Sequence, residues 1–304
     1  MELLGVLTAV LSSALGGTAV GATRYLASTL DPVTVGAARF GGGFLILFAI
    51  ALWRGDRWPQ KGDWLGNIAL GLLFFGLFPV LFNAALIYTT AARGALALST
   101  LPLLTMAAGA VLKVERTTPR KIIGVSIALG GVAIALGTSV TAAPTGAWRG
   151  ELLMLAAALC MALYNVWSRP FVARSGPIPY AAFGMGVGAA CLLAVSSLTG
   201  GIAKLPELNA TQWFANAYLA IVCGAFIFFL WASALGRAPP TLVAVSVTVN
   251  PVTASIFAVL LLDEPVSANL IIGLVAVLAG IGIASGPIGW RDLLERRSLS
   301  RGQG

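Results

Sequence analysis

Ala95-Leu96-Ala97-Leu98-Ser99-Thr100-Leu101-Pro102 returns 149 residues later as Ala244-Val245-Ser246-Val247-Thr248-Val249-Asn250-Pro251. The same offset, carried outward, sets Glu2-Leu3-Leu4 on Glu151-Leu152-Leu153 and Glu115 on Glu264. It also sets Gly124 on Gly273, Gly131 on Gly280, Ile134-Ala135 on Ile283-Ala284 and Gly137 on Gly286. Matches of Ala or Leu mean little in so apolar a chain. The Pro, Glu and Gly matches, all at one spacing, mark an internal duplication.

The rest of the composition says what surrounds the repeated unit. Of 304 residues, 58% are hydrophobic and 10% charged, and the mean hydropathy is +0.92. Soluble domains carry roughly a quarter of their residues as charges. Most of this surface therefore faces lipid. About ten spans of about 20 residues use nearly the whole length and leave no room for a separate soluble domain. The net charge of +8 follows from basic cytoplasmic loops and does not point to nucleic acid. Cys160, Cys191 and Cys223 lie in apolar stretches without neighbours at metal-ligand spacing and read as small packing residues. Histidine is absent, which removes the commonest zinc ligand and neutral-pH base. The opening Met1-Glu2-Leu3-Leu4 has no basic n-region and reads as the start of the first helix.

Short polar or Pro/Gly-rich breaks divide the apolar segments into ten predicted helices. They run at about 3–25, 33–53, 64–89, 94–112, 120–137, 150–172, 178–198, 212–235, 240–262 and 267–285. Residues 1–138 form the first five-helix repeat, 139–149 a linker, 150–287 the second repeat and 288–304 a basic tail. Fourteen Lys and Arg fall in loops on the side of the N-terminus. Four (Arg24, Arg93, Arg149, Lys204) fall on the other, and Arg39 lies within the second helix. Both termini are therefore expected in the cytoplasm, in a cell's inner (plasma) membrane. Five is odd, so the second copy enters from the opposite face. An all-α membrane protein of ten helices in two inverted repeats is the arrangement of many alternating-access transporters.

The segment 95–102 followed by Glu115, Gly124 and Gly131, and again 244–251 followed by Asp263-Glu264-Pro265, Gly273 and Gly280, resembles the ten-helix exporters of the drug/metabolite transporter superfamily built from two EamA repeats. The likeness covers nearly the whole chain. It implies a central cavity framed by both halves, with the fifth and tenth helices to the side. It also implies export of amino acids or related metabolites, the nearest likeness being to exporters of aromatic and other neutral amino acids. No motif fixes the substrate.

Candidate site residues follow from what lipid penalises. Pro102 and Pro251 interrupt the fourth and ninth helices at matched positions; they are either hinges or static kinks. Asn83, Asn165 and Asn250 place amides at depth, either facing a cavity, where an amide suits a zwitterion, or bonding between helices. Ser99 and Ser246 sit in the two repeated segments. Phe78, Tyr88, Tyr164, Trp167 and Trp231 offer aromatic walls, whereas Trp53, Trp58, Trp64, Trp148, Trp213 and Trp290 read as interface belts. Arg39 could attract a substrate carboxylate or bond backbone carbonyls.

No Asp or Glu stands in the middle of a predicted helix. Tight proton coupling, which generally uses an ionisable relay within the membrane, is therefore not expected. A facilitative uniporter working as a monomer, without cofactor or metal, is. The rivals are a proton-coupled or exchange carrier for other metabolites or drugs, a nucleotide-sugar carrier, a membrane enzyme and a passive scaffold. A nucleotide-sugar carrier would want several basic residues at depth. An enzyme would want acid/base or metal groups, and no HExxH, DxxD or Ser-His pairing is present.

Overall fold

Lipid offers the backbone no hydrogen-bond partner, so a chain this poor in charge closes its peptide bonds within helices. The computed structural model describes residues 2–26, 29–89, 91–136, 146–253 and 268–285, and among these the regular structure is helical. In order they form α1 (Glu2–Leu26), α2 (Pro32–Arg54), α3 (Lys61–Tyr88), α4 (Ala91–Leu98), α5 (Leu101–Val111) and α6 (Pro119–Leu136). The second half gives α7 (Ala147–Ser175), α8 (Pro177–Leu198), α9 (Ala210–Leu235), α10 (Pro240–Thr253) and α11 (Ala268–Ser285). Among the described residues six helices, α1, α2, α3, α7, α8 and α9, are long and apolar enough to cross a membrane, with shorter apolar stretches at Leu96–Val111, Pro240–Thr253 and Ile271–Ala284. Asp263-Glu264-Pro265, Gly137, Gly286, Trp290, most of the linker and the tail lie outside the described residues.

Local chemistry sets the helix ends. Asp31 caps α2 by accepting from Val33 N–H at 3.0 Å and Thr34 N–H at 3.1 Å, with Pro32 in the first turn. Gly55, at φ 65°, closes the other end. Asn209 and Gln212 form a reciprocal capping box at the start of α9. Glu115, just beyond α5, accepts from the N–H and hydroxyl of Thr241 at 3.1 and 3.0 Å. It thereby caps α10 across the halves, and Lys121 pairs with its other oxygen. Arg174 at the end of α7 grips Asp63 at the start of α3 with two bonds of 2.8 Å.

The packing repeats with the sequence. α1 lies on α9 as α3 lies on α7, and α2 and α8 pack together. α6 and α11 form the tightest pair. A Cβ on Gly124 would stand 2.6 Å from the Gly280 oxygen, and one on Gly131 would stand 2.8 Å from the Gly273 oxygen. Gly124 meets the far end of α11 and Gly131 the near end, so the two helices run antiparallel. Each contact is the other shifted by 149 residues. Glycine there lets backbone touch backbone, as in membrane helix pairs generally.

Candidate functional site

Both α3 and α9 widen into a π-helical turn, at Leu72–Leu77 and Ile221–Phe226, again 149 residues apart. Such turns recur at functional sites, because they break the regular i→i−4 ladder. Each is braced by backbone of the opposite half. A Cβ on Gly224 would lie 2.8 Å from the Arg39 oxygen, and one on Gly188 would lie 2.9 Å from the Phe75 oxygen. Arg39 and Gly188 are repeat equivalents, as are Phe75 and Gly224. One backbone contact is thus made twice, with an arginine in one copy and a phenylalanine in the other.

Arg39 donates from Nη2 to the Cys223 carbonyl in the π turn at 2.8 Å. Its guanidinium carbon lies 5.2 Å from the Phe40 ring centre and 5.8 Å from that of Phe228, a cation–π arrangement. Its Nε is buried with no protein partner. Of the two roles open to Arg39, the carbonyl bond is made, and it leaves donor capacity unused.

On one side of this cation the rings of Phe40 and Phe228 pack with those of Phe74 and Phe75 at centroid distances of 5.1–5.5 Å. Tyr164 stacks on Phe74 at 4.1 Å. All five side chains are buried. They come from α2, α3, α7 and α9, so both halves build the cluster. Beside it Trp231 donates its indole N–H to Asn165 Oδ1 at 3.0 Å, while Asn165 Nδ2 is buried without a partner. Tyr180 donates to Ser168 at 2.6 Å, and Ser168 to the Tyr164 carbonyl at 2.5 Å.

The predicted residues divide accordingly. Arg39, Tyr164, Asn165 and Trp231 belong to this region, and Phe78 adjoins it through Phe74 at 5.1 Å. Asn250 lies against Gly16 of α1, its Oδ1 buried and unpartnered. Ser246 is buried, accepting from Ser13 across 2.9 Å and donating to the Val243 carbonyl, and Ser99 is buried nearby in sequence to the α4–α5 break. Asn83 instead donates to the Pro32 carbonyl at 3.0 Å, tying α3 to α2. Tyr88 and Trp167 are exposed. Trp167 is thus apart from the cluster that its neighbour Tyr164 enters, and Cys191, unlike Cys160 and Cys223, is exposed as well. Pro102 sits in the first turn of α5, where proline fits, and the break comes just before it at Ser99-Thr100. Ahead of Pro251 the helix tightens to a 3₁₀ turn at Ser246–Thr248. Both prolines are buried.

Phe40, Phe74 and Phe75 were not singled out from the sequence. Neither were Asn67 and Asn216, which are repeat equivalents. Both are buried, and each leaves amide atoms without a protein partner. The offset of 149 would have flagged that pair.

The double arrangement has a family counterpart. The model of the EamA-like transporter family matches residues 3–137 and again 148–286. The chain belongs to the EamA-like transporter family. It is a multi-pass membrane transporter. Among its relatives, the uncharacterized transporter YyaM of Bacillus subtilis is 27% identical over 87% of this chain and 88% of its own. A probable terminal-alkyne amino-acid exporter of Streptantibioticus cattleyicolor is 28% identical over 81% and 78%. A probable amino-acid metabolite efflux pump of Escherichia coli is 27% identical over 75% and 80%. A crystal structure of a protein with 24% sequence identity matches at a TM-score of 0.76 over 93% of this chain and 98% of that one, a likeness of fold.

Proposed function

We propose that this EamA-like transporter exports amino acids, aromatic and other neutral ones, and related small metabolites across a cell's inner (plasma) membrane by alternating access. In this reading it is a ten-helix monomer of two inverted repeats, 1–138 and 150–287, joined by the linker 139–149, with both termini and the tail 288–304 in the cytoplasm. The observation that carries it is the cluster of Arg39, Phe40, Phe74, Phe75, Tyr164 and Phe228, built by helices of both halves around two matched π turns. A cation for a carboxylate beside rings for a side chain is the chemistry an amino acid needs. The export functions named for two relatives support the same substrate class. The antiparallel α6–α11 contact supports the inverted arrangement. Pro102 and Pro251, next to breaks in α4–α5 and α10, serve as hinges, and Asn250 and Ser246 line the path beside α1.

Among the described residues every Asp and Glu lies at a helix end, within about a turn of one, or in a loop. This supports facilitative movement down the solute's gradient rather than proton coupling. The test is reconstitution in liposomes with radiolabelled phenylalanine, leucine and other neutral amino acids, with and without a pH gradient. Saturable flux independent of the gradient is expected. Absence of saturable flux for every neutral amino acid would overturn the substrate reading, and strict dependence on the gradient would overturn the uniport.

A further inference from the structure

Arg39 lies well inside α2, yet among the described residues no carboxylate pairs with it. The ion pairs Arg54–Asp56, Lys121–Glu115 and Arg174–Asp63 all stand at helix ends. Tyr218, which hydrogen-bonds Thr18, and Cys223 are the titratable groups within electrostatic reach of the guanidinium. All are neutral side chains. The rings of Phe40 and Phe228 lie against the guanidinium, and the side chain as a whole is half-buried. A charge at depth in a membrane helix, with its Nε buried, is held at a cost unless something of opposite sign completes it. A bound monoanion brings the site to zero net charge. A bound zwitterion leaves it at one positive charge, and a bound amine would bring it to two.

The donors fit that arithmetic. Nη2 uses one N–H on the Cys223 carbonyl, and the adjacent Nε–H is buried and unpartnered. A carboxylate engages such a fork with both oxygens. No matching anion stands ready for an ammonium. Asn165 Oδ1 is taken by Trp231. The Oδ1 atoms of Asn250, Asn67 and Asn216 are buried and unpartnered, but each belongs to a neutral amide and supplies no charge opposite to an ammonium.

We infer that the central site selects for the carboxylate: its substrates are aryl and branched-alkyl monocarboxylates, and the ammonium of an amino acid is tolerated there, not required. This rests on the reading of the cluster as the transport site and narrows what that site recognises. It also implies that carriage of a simple carboxylate moves one negative charge, whereas carriage of a neutral amino acid moves none.

The test is binding to the purified protein, by calorimetry or ligand-induced thermal stabilisation, of three probes that share a phenyl ring. These are 3-phenylpropionate (carboxylate only), phenylalanine (both groups) and phenethylamine (ammonium only). The first two are expected to bind with affinities within about tenfold of each other, and phenethylamine to bind at least tenfold more weakly. Arg39→Gln should weaken both carboxylates at least tenfold, and Arg39→Lys should restore part of the loss. Should Arg39→Gln fail to fold, the ranking on the wild-type protein and the Lys variant decide the matter. Phenethylamine binding as well as phenylalanine, no binding of 3-phenylpropionate, or undiminished binding to the folded Gln variant would each overturn the inference. Binding of 3-phenylpropionate without flux of any amino acid would sink amino-acid export and leave this inference standing. Phenylalanine flux without 3-phenylpropionate binding would do the reverse.

Discussion

Trp231 and Asn165 join α9 to α7 through one buried hydrogen bond, indole N–H to amide Oδ1 at 3.0 Å. Asn165 Nδ2 already lacks a partner, so this bond is what satisfies the amide in a region that offers no alternative. Trp231→Phe keeps an aromatic ring and removes the donor. It should lower stability by about 1 kcal/mol, the scale of interhelical bonds in membranes, seen as a lower midpoint of thermal unfolding in detergent. The double variant Trp231→Phe/Asn165→Leu, which leaves no orphaned amide, should recover part of that loss. Equal midpoints for wild type and Trp231→Phe would show that the bond contributes nothing.

Two glycines of α6, Gly124 and Gly130, predict opposite outcomes for one added methyl group. Gly124→Ala would push a Cβ to 2.5 Å from the Ala284 nitrogen and 2.6 Å from the Gly280 oxygen, both backbone atoms that cannot swing aside. Overpacking of this kind costs about 1–3 kcal/mol. Gly130→Ala meets nothing within 4 Å and should be neutral or stabilise by up to about 1 kcal/mol through helix propensity. Thermal unfolding of the two variants side by side checks the antiparallel pair, and an equal effect of both would argue against it.

Asp31 predicts a pH dependence outside the lipid. Burial by itself would raise its carboxyl, but the hydroxyl of Thr34 and the N–H groups of Thr34 and Val33 together outweigh that and hold it below the usual carboxylate range. A folded value below the unfolded one means the stabilisation is fully present above the ordinary carboxylate range and is lost as pH falls through the lowered value. The Thr34 hydroxyl lies 2.5 Å from both Asp31 and Ser196, so protonation also loosens α2 from α8. Asp31→Ala should remove about 1 kcal/mol, as for other N-caps, and flatten the acid limb of a stability–pH curve. An acid limb unchanged by the substitution would contradict this.

The helical, lipid-facing character of the chain and its family were legible from charge content, hydropathy and the 149-residue offset. The glycines of α6 and α11 were legible for the same reason, since a repeat makes each of them visible twice. Side-chain direction was not. In lipid the outward face of a helix is as apolar as the inward one, so Tyr164 and Trp167, three residues apart, read alike although one is stacked on Phe74 and the other is exposed. Phe40, Phe74 and Phe75 were hidden among fourteen phenylalanines by the same lack of contrast. The π turns left no signal because they use the same residue types as the α-helix around them. Arg39 was visible because a charge at depth stands out, but its unused Nε depends on the π turn that supplies the Cys223 carbonyl.

The central claim, that two copies of one unit lie in the membrane in opposite senses, is tested most directly by the sidedness of two equivalent positions. Gly62 and Thr211 are 149 residues apart and exposed, one at the start of α3 and the other in the first turn of α9. Gly62→Cys and Thr211→Cys, placed singly in a chain whose three cysteines are replaced, are challenged in intact cells with a membrane-impermeant maleimide. The account predicts that Thr211→Cys is labelled from outside and Gly62→Cys only after the membrane is opened. Labelling of both from the same side would contradict it.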